Sequence, residues 1–305
     1  MANEPIPMHR KDWLLLIALS VLWGGSFFFN GLALRELPPL TVAFARVLFG
    51  ALCLLIVLKP LGGSLPKRAV DWLPFAVMGL VNNVIPFSLF LTAQTTISSG
   101  LASVLNATTP LFAVSVMALT GEERLTGRRL AGVLIGIGGV AVLRGPGLSA
   151  ESQTIGIVLC LGAALSYGFA GYWGRHAMAG VPPLTSATAQ LICSTPVMAV
   201  IAGAVERPWT LPLPGPTTWL AIAGLATLST ALAYILFFRI LNRSGAVNVV
   251  LVTLLIPVTA ILLGVWILNE PLSANEVAGA LIIAASLIVI DGRAFAWLRQ
   301  RYRRP

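Results

Sequence analysis

Four stretches of this sequence place amide and hydroxyl side chains inside otherwise apolar runs. "GLVNNVIPF" holds Asn82 and Asn83 ahead of Pro86, and "LNATTPL" holds Asn106, Thr108 and Thr109 ahead of Pro110. "ATLSTALAY" contributes Thr227, Ser229, Thr230 and Tyr234, and a fourth stretch contributes Asn248, Thr253 and Pro257. Amides and hydroxyls supply donors and acceptors together, and a proline removes one helical hydrogen bond, which frees a backbone carbonyl. A zwitterion needs both kinds of group, donors for its carboxylate and acceptors for its ammonium. The competing reading is structural: Ser and Thr often bond back to their own helix, and buried amides tie neighbouring helices together.

Aromatic and charged residues extend the candidate set. Trp23 and Tyr167 sit at related depths and could flank a planar or apolar side chain from two sides, whereas Trp173, nearer a helix end, reads as an interfacial anchor. Arg46 is the lone basic residue well inside an apolar run. Lying about a turn from the end of that run, it can snorkel to the surface, attract a carboxylate, or hold carbonyls at a helix end. The substrate-binding candidates are therefore Asn82, Asn83, Asn106, Thr109, Trp23, Tyr167, Thr230, Tyr234, Asn248 and Thr253.

What must position them is a membrane-embedded scaffold. Apolar residues make up 57% of the 305 positions and charged residues only 10%, with a mean hydropathy of +0.89, far outside the soluble range. Apolar runs long enough to cross ~30 Å of hydrocarbon fall at 13–34, 41–58, 72–91, 99–119, 128–143, 154–175, 185–205, 218–238, 246–268 and 275–292. They are continuously apolar, which predicts helices and not barrel strands. The first run lacks a small-residue cleavage site and is expected to stay in the mature chain. Sixteen of the 20 basic residues fall on one side of these runs and only Arg35, Arg144 and Arg207 on the other. Positive charge is retained inside, so both termini are predicted cytoplasmic. The same asymmetry accounts for the net charge of +9 without a nucleic-acid partner; anionic lipid is the expected neighbour of the basic tail. Cys53, Cys160 and Cys193 each lie inside a run and read as small packing residues.

The chain repeats itself. "PPLT" occurs at 38–41 and again at 182–185, and an offset of 144 aligns residues 23–46 with 167–190, pairing Trp23 with Tyr167 and Arg46 with Gln190. At an offset of 147 Pro110 meets Pro257, Glu123 meets Glu270 and Gly132 meets Gly279. Five helices per copy is an odd number, so the second copy must enter the membrane from the opposite face. The expected fold is an all-α integral membrane protein of ten transmembrane helices, arranged as two inverted five-helix repeats over 1–147 and 148–305. Inverted repeats are the architecture of secondary transporters, because exchanging the conformations of two related halves moves the opening of a central cavity from one face to the other.

The residues that carry these features, "WGGSF" in the first run, "PPL" before the second and seventh, "TTPLF" in the fourth and "NEPLS" between the last two, resemble the EamA-type branch of the drug/metabolite transporter superfamily. Within it the chain most resembles the YddG-type exporters of aromatic amino acids. That resemblance implies an inner-membrane exporter of neutral, aromatic amino acids and related metabolites working by alternating access, with a small-molecule substrate and no cofactor. The oligomeric state stays open, a monomer among the alternatives. A proton-coupled efflux transporter for cationic compounds is the rival; it wants a carboxylate at mid-depth, and all 11 acidic residues fall in loops or at the ends of runs. That absence predicts a facilitator. A membrane enzyme finds little support, since His9 and His176 are the only histidines and there is no metal-spaced cluster and no carboxylate pair at one interface. "GIGGVA" (136–141) and "GPGLSA" (145–150) match a dinucleotide-binding pattern but follow no strand; Gly132 and Gly136 read instead as small-residue helix packing.

Overall fold

The computed structural model describes residues 9–122, 126–144, 151–249 and 252–291, and these residues are helical with no strand among them. In chain order the helices are α1 (Arg10–Ala33), α2 (Pro39–Leu58), α3 (Ala69–Ala93), α4 (Ser99–Leu119), α5 (Gly127–Arg144), α6 (Glu151–Ala177), α7 (Pro183–Val205), α8 (Pro216–Ile240, running on helically to Val249), α9 (Val252–Trp266) and α10 (Ala274–Asp291). Eight of them are long and apolar enough to cross a membrane. α9 is apolar but shorter, and α5 carries Arg128, Arg129 and Arg144 within its 18 residues. Large apolar side chains such as Ile56 (74% exposed), Val200 (70%) and Leu220 (72%) point away from the helix bundle. Lipid is the solvent that suits them.

The helix starts follow from local chemistry. Both "PPLT" copies open a helix with proline in its first turn, at Pro39 of α2 and Pro183 of α7, where the missing N–H is not needed. One boundary differs from the sequence expectation. The run expected at 246–268 divides, with 246–249 belonging to the end of α8 and α9 beginning at Val252. Asn248 is therefore on α8 and not on α9, and its side chain lies outside the described residues. Apolar runs separated by a short polar stretch mark hydrophobicity well and helix ends poorly.

Packing pairs related helices. α1 packs on α8 and α9 as α6 packs on α3 and α4, so exchanging each helix for the one five places on turns the first set into the second. α2 lies along α7 and α5 along α10. α2 and α7 run in opposite directions, because each begins where the other ends: the Thr41 hydroxyl at the start of α2 donates to Glu206 just past α7 (2.7 Å), and the Thr185 hydroxyl at the start of α7 donates to Ser64 O beyond α2 (2.9 Å). Between α5 and α10 the backbones approach closely; a Cβ on Gly279 would stand 2.8 Å from Gly139 O, and one on Gly132 3.1 Å from Ser286 O. That is the small-residue interface expected of Gly132.

Candidate functional site

Helix α3 does not stay regular. Its α-helix Leu73–Gly79 widens into a π-helical turn over Leu80–Val84 before resuming at Ile85–Ala93. α8 does the same over Thr227–Leu232. Leu80 and Thr227, the first residues of the two turns, are 147 apart, the offset that relates Pro110 to Pro257. Only the first turn has a nearby proline to explain it, Pro86; in α8 the equivalent residue is Ala233, and the Thr227 hydroxyl instead bonds back to Ala223 O at 2.6 Å. π-turns free backbone groups and recur at functional sites. Here they aim side chains at one another across helices.

The cluster is built on the π-turn of α3. Asn82 Nδ2 donates to Gln190 Oε1 of α7 (2.8 Å) and to the Tyr234 hydroxyl of α8 (3.2 Å). Asn83, fully buried, donates through Nδ2 to Ser194 Oγ (3.1 Å), while its Oδ1 accepts from the Tyr234 hydroxyl (3.3 Å). Gly79 permits the approach, since a Cβ there would lie 2.7 Å from Gln190 O and 2.8 Å from Ser194 Oγ. Thr230, also buried, accepts from Arg46 Nε at 3.3 Å. α3, α7 and α8 thus meet in one polar network, and α2 and α8 meet in the Arg46–Thr230 pair, inside an apolar bundle.

The remaining candidates divide. Asn106 ends the first segment of α4 (Ser99–Asn106), half-buried, and its side-chain amide has no hydrogen-bond partner among the described residues. Thr109 bonds back to Asn106 O at 2.7 Å, which is the structural role that competes with a binding one. Trp23 and Tyr167 do not face each other as a stacked pair: Trp23 packs on Phe237 with centroids 5.5 Å apart, and Tyr167 on Phe90 at 6.1 Å. Thr253 is half-buried in the first turn of α9.

The Trp173 indole N–H donates to Pro74 O (3.0 Å) and ties α6 to α3. One sequence expectation needs correction: Arg46 does not snorkel. It is 7% exposed, with its guanidinium carbon 3.9 Å from the centroid of the Phe87 ring, a cation–π contact. Gln190, its counterpart in the second repeat, bonds to Asn82. Sequence reasoning passed over Gln190, Ser194 and Phe87; the alignment of Arg46 with Gln190 was the one available signal.

The end of the bundle that carries the α1–α2 turn is held by carboxylates at helix starts. Glu206 accepts from Leu40 N (2.9 Å), Thr41 N (2.6 Å) and Thr41 Oγ1 (2.7 Å). Glu270 accepts from Ser99 N (2.9 Å) and Ser99 Oγ (2.8 Å) at the start of α4. Glu36 accepts from Gly215 N (2.6 Å) and Thr218 Oγ1 (2.8 Å) at the start of α8. Orphan N–H groups and the helix dipole favour an anion at each of these places. The Thr218 hydroxyl and then the Gly215 N–H hold the Glu36 carboxyl below its ordinary range. At the opposite end Asp12, buried at 2%, pairs with Arg243 (2.8 Å), and His176 Nε2 meets Glu122 (2.8 Å). A groove of about 330 Å³ between α4, α9 and α10, lined by Val104, Ala107, Pro257, Val258 and other apolar residues, offers nothing to a zwitterion.

Comparison with known proteins follows the same outline. The model of the EamA-like transporter family matches residues 11–145 and again 154–291. The chain is similar to "Uncharacterized transporter YvbV" of Bacillus subtilis, 27% identical over 96% of this chain and 95% of that protein. It is also similar to the "Probable amino-acid metabolite efflux pump" of Escherichia coli K12, 27% identical over 92% of this chain and 95% of that one. A third similar protein is the E. coli K12 "Uncharacterized inner membrane transporter YedA", 27% identical over 92% and 91%. A crystal structure aligns with a TM-score of 0.66 at 19% identity, covering 93% of this chain and 98% of that one, and shows a shared fold.

Proposed function

This chain belongs to the EamA-like transporter family, and from that membership we propose that it exports neutral, aromatic amino acids and related metabolites across the cell inner membrane. The observation that carries the reading is the pair of repeat-related π-turns in α3 and α8, which border a polar network of Asn82, Asn83, Gln190, Ser194 and Tyr234 and the Arg46–Thr230 pair. An efflux pump for amino-acid metabolites among the similar proteins agrees with it. The wall of Trp23, Phe237, Phe238 and Tyr234, with Tyr234 stacked on Phe238 at 6.0 Å, suits an aromatic side chain, as the YddG-type resemblance implies.

The rest of the architecture is part of the same proposal. Ten crossings, with α5 and α9 included, form two inverted five-helix repeats over 1–147 and 148–305, and both termini are cytoplasmic. Alternating access then consists of loosening the contacts at one end while those at the other close. The orientation rests on the basic asymmetry. A cysteine placed within 92–98 should react with an impermeant maleimide in intact cells, and one within 121–127 should react only after permeabilisation. Labelling in the reverse pattern overturns the orientation.

Substrate moves down its own gradient in this reading, because no Asp or Glu stands at mid-depth among the described residues; Asp12, Glu36, Glu206 and Glu270 occupy helix ends. Purified protein in proteoliposomes should catalyse counterflow of labelled phenylalanine, tyrosine or tryptophan at least about 10-fold above empty vesicles, an effect of about 1.4 kcal/mol on the barrier. With equal substrate on both sides, a one-unit pH difference should produce no net accumulation. Accumulation that an uncoupler abolishes removes the facilitator, and failure of all three substrates to exchange removes the aromatic amino-acid reading.

A further inference from the structure

Among the described residues Arg46 is a charge without a counter-charge. Among the described residues its one hydrogen bond runs from Nε to the neutral Thr230 hydroxyl, and its guanidinium lies over the face of Phe87. The carboxylates that might neutralise it are occupied elsewhere: Glu206 on Leu40 and Thr41, Asp12 on Arg243, Glu36 on Gly215 and Thr218, Glu270 on Ser99. Burying an unpaired cation in a low-dielectric bundle is costly, and membrane proteins retain such a group where it meets an ion or a substrate.

The geometry also leaves room. The two terminal guanidinium nitrogens have no hydrogen-bond partner among the described residues, yet neither is fully enclosed; in the described residues that condition belongs to Asn30 Oδ1 alone. Each therefore keeps a small accessible surface at which a carboxylate oxygen can make contact. The same holds for Asn82 Oδ1 and for Gln190 Nε2, whose amides are otherwise engaged with each other and with Tyr234. Tyr167 and Tyr234 stand close enough to Arg46 to interact with its charge. Gly50, one turn along α2 from Arg46, brings that helix against Thr230, whose methyl would lie 2.9 Å from a Cβ there. A planar fork of donors with open terminal nitrogens matches a carboxylate.

We propose that Arg46 binds the carboxylate of the transported substrate, so that the cargo is a small organic monocarboxylate, with the open Asn82 oxygen accepting from its ammonium when one is present. This rests on the transporter reading above and narrows it. The site selects by charge: acids enter, and the corresponding amides and amines do not. Binding of the carboxylate also neutralises Arg46, so the loaded site crosses between its two states without moving a bare cation through the bundle.

The test is thermal unfolding of the purified full-length protein titrated with three matched probes, L-phenylalanine, 3-phenylpropionate and L-phenylalaninamide. Wild type should be stabilised by the two acids and not by the amide. Arg46→Gln should weaken the response to both acids on the order of 30-fold, and Arg46→Lys about 10-fold, since lysine keeps the charge and loses the fork. The comparison of acid with amide uses wild type alone, so it stands even where a variant fails to fold. Equal stabilisation by acid and amide overturns the proposal, as does an Arg46→Gln variant that responds to the acids like wild type, or a wild type that responds to no probe. A response to 3-phenylpropionate but not to phenylalanine, lost in Arg46→Gln, keeps Arg46 as the carboxylate site and removes the amino-acid reading instead.

Discussion

Replacing Asn83 by leucine is expected to lower substrate exchange about 100-fold in proteoliposomes while the protein still reaches the membrane. Leucine matches asparagine in size but returns neither of its hydrogen bonds, leaving Ser194 Oγ without its donor at 3.1 Å and the Tyr234 hydroxyl without its acceptor at 3.3 Å. Each lost hydrogen bond costs ~0.5 to 1.5 kcal/mol, and two such losses at the π-turn come to ~3 kcal/mol at the upper end, or about two decades in rate. The effect passes through Tyr234, which also accepts from Asn82, so Tyr234→Phe should reproduce part of it. Thr109→Val serves as the contrast. The Thr109 hydroxyl bonds to Asn106 O within its own helix, so its loss should change exchange less than about threefold, within the range of a single weak back-bond. Normal exchange by Asn83→Leu, with an unaltered melting profile, would mean that the network is packing and that the substrate passes elsewhere.

A larger effect on conformation is expected at Glu206. Its carboxylate takes three donors from the start of α2 across sequence separations of 166 and 165 residues, and hydrogen bonds to a charged acceptor contribute ~1.5 to 3 kcal/mol each without adding fully. Glu206→Ala should therefore loosen this end of the bundle by ~3 kcal/mol. Leu37, 7% exposed in the adjoining turn, reports the change. A cysteine at position 37 should react with a maleimide about 100-fold faster in the Glu206→Ala background, the ratio that corresponds to ~3 kcal/mol. Glu206→Gln, which keeps the shape and one acceptor oxygen but loses the charge, should fall between. Unchanged reactivity of the position-37 cysteine would show that the α2 start does not depend on Glu206, and the carboxylate caps would then be surface contacts and not fastenings of this end.

How much was legible in advance depends on the range of the interaction. The helix starts at Pro39 and Pro183 follow from a fixed φ and a missing N–H, properties that proline carries in its own ring. The asparagines of "VNNV" stood out because amides are expensive in an apolar run, and the structure places both in the network. The π-turn of α8 left no such mark, since "ATLSTALAY" has no proline and its widening follows from the helices packed around it. Asn248 was assigned to the wrong helix because hydropathy does not locate a helix end between two apolar runs.

Hydrophobicity along the chain, the match of the family model to both halves and the spacing of Asn82, Asn83 and Pro86 are properties of the sequence by itself. They determine that the protein is a helical membrane transporter with polar groups in its interior. Tertiary structure decided the partners: Gln190 for Asn82, Ser194 for Asn83, Glu206 for the start of α2, and Phe87 with Thr230, and no carboxylate among the described residues, for Arg46. The physical reason is distance along the chain. Burial and helix formation depend on a few neighbouring residues, whereas Arg46 and Thr230 lie 184 positions apart and meet only because the close approach of α2 and α8 at Gly50 brings them together.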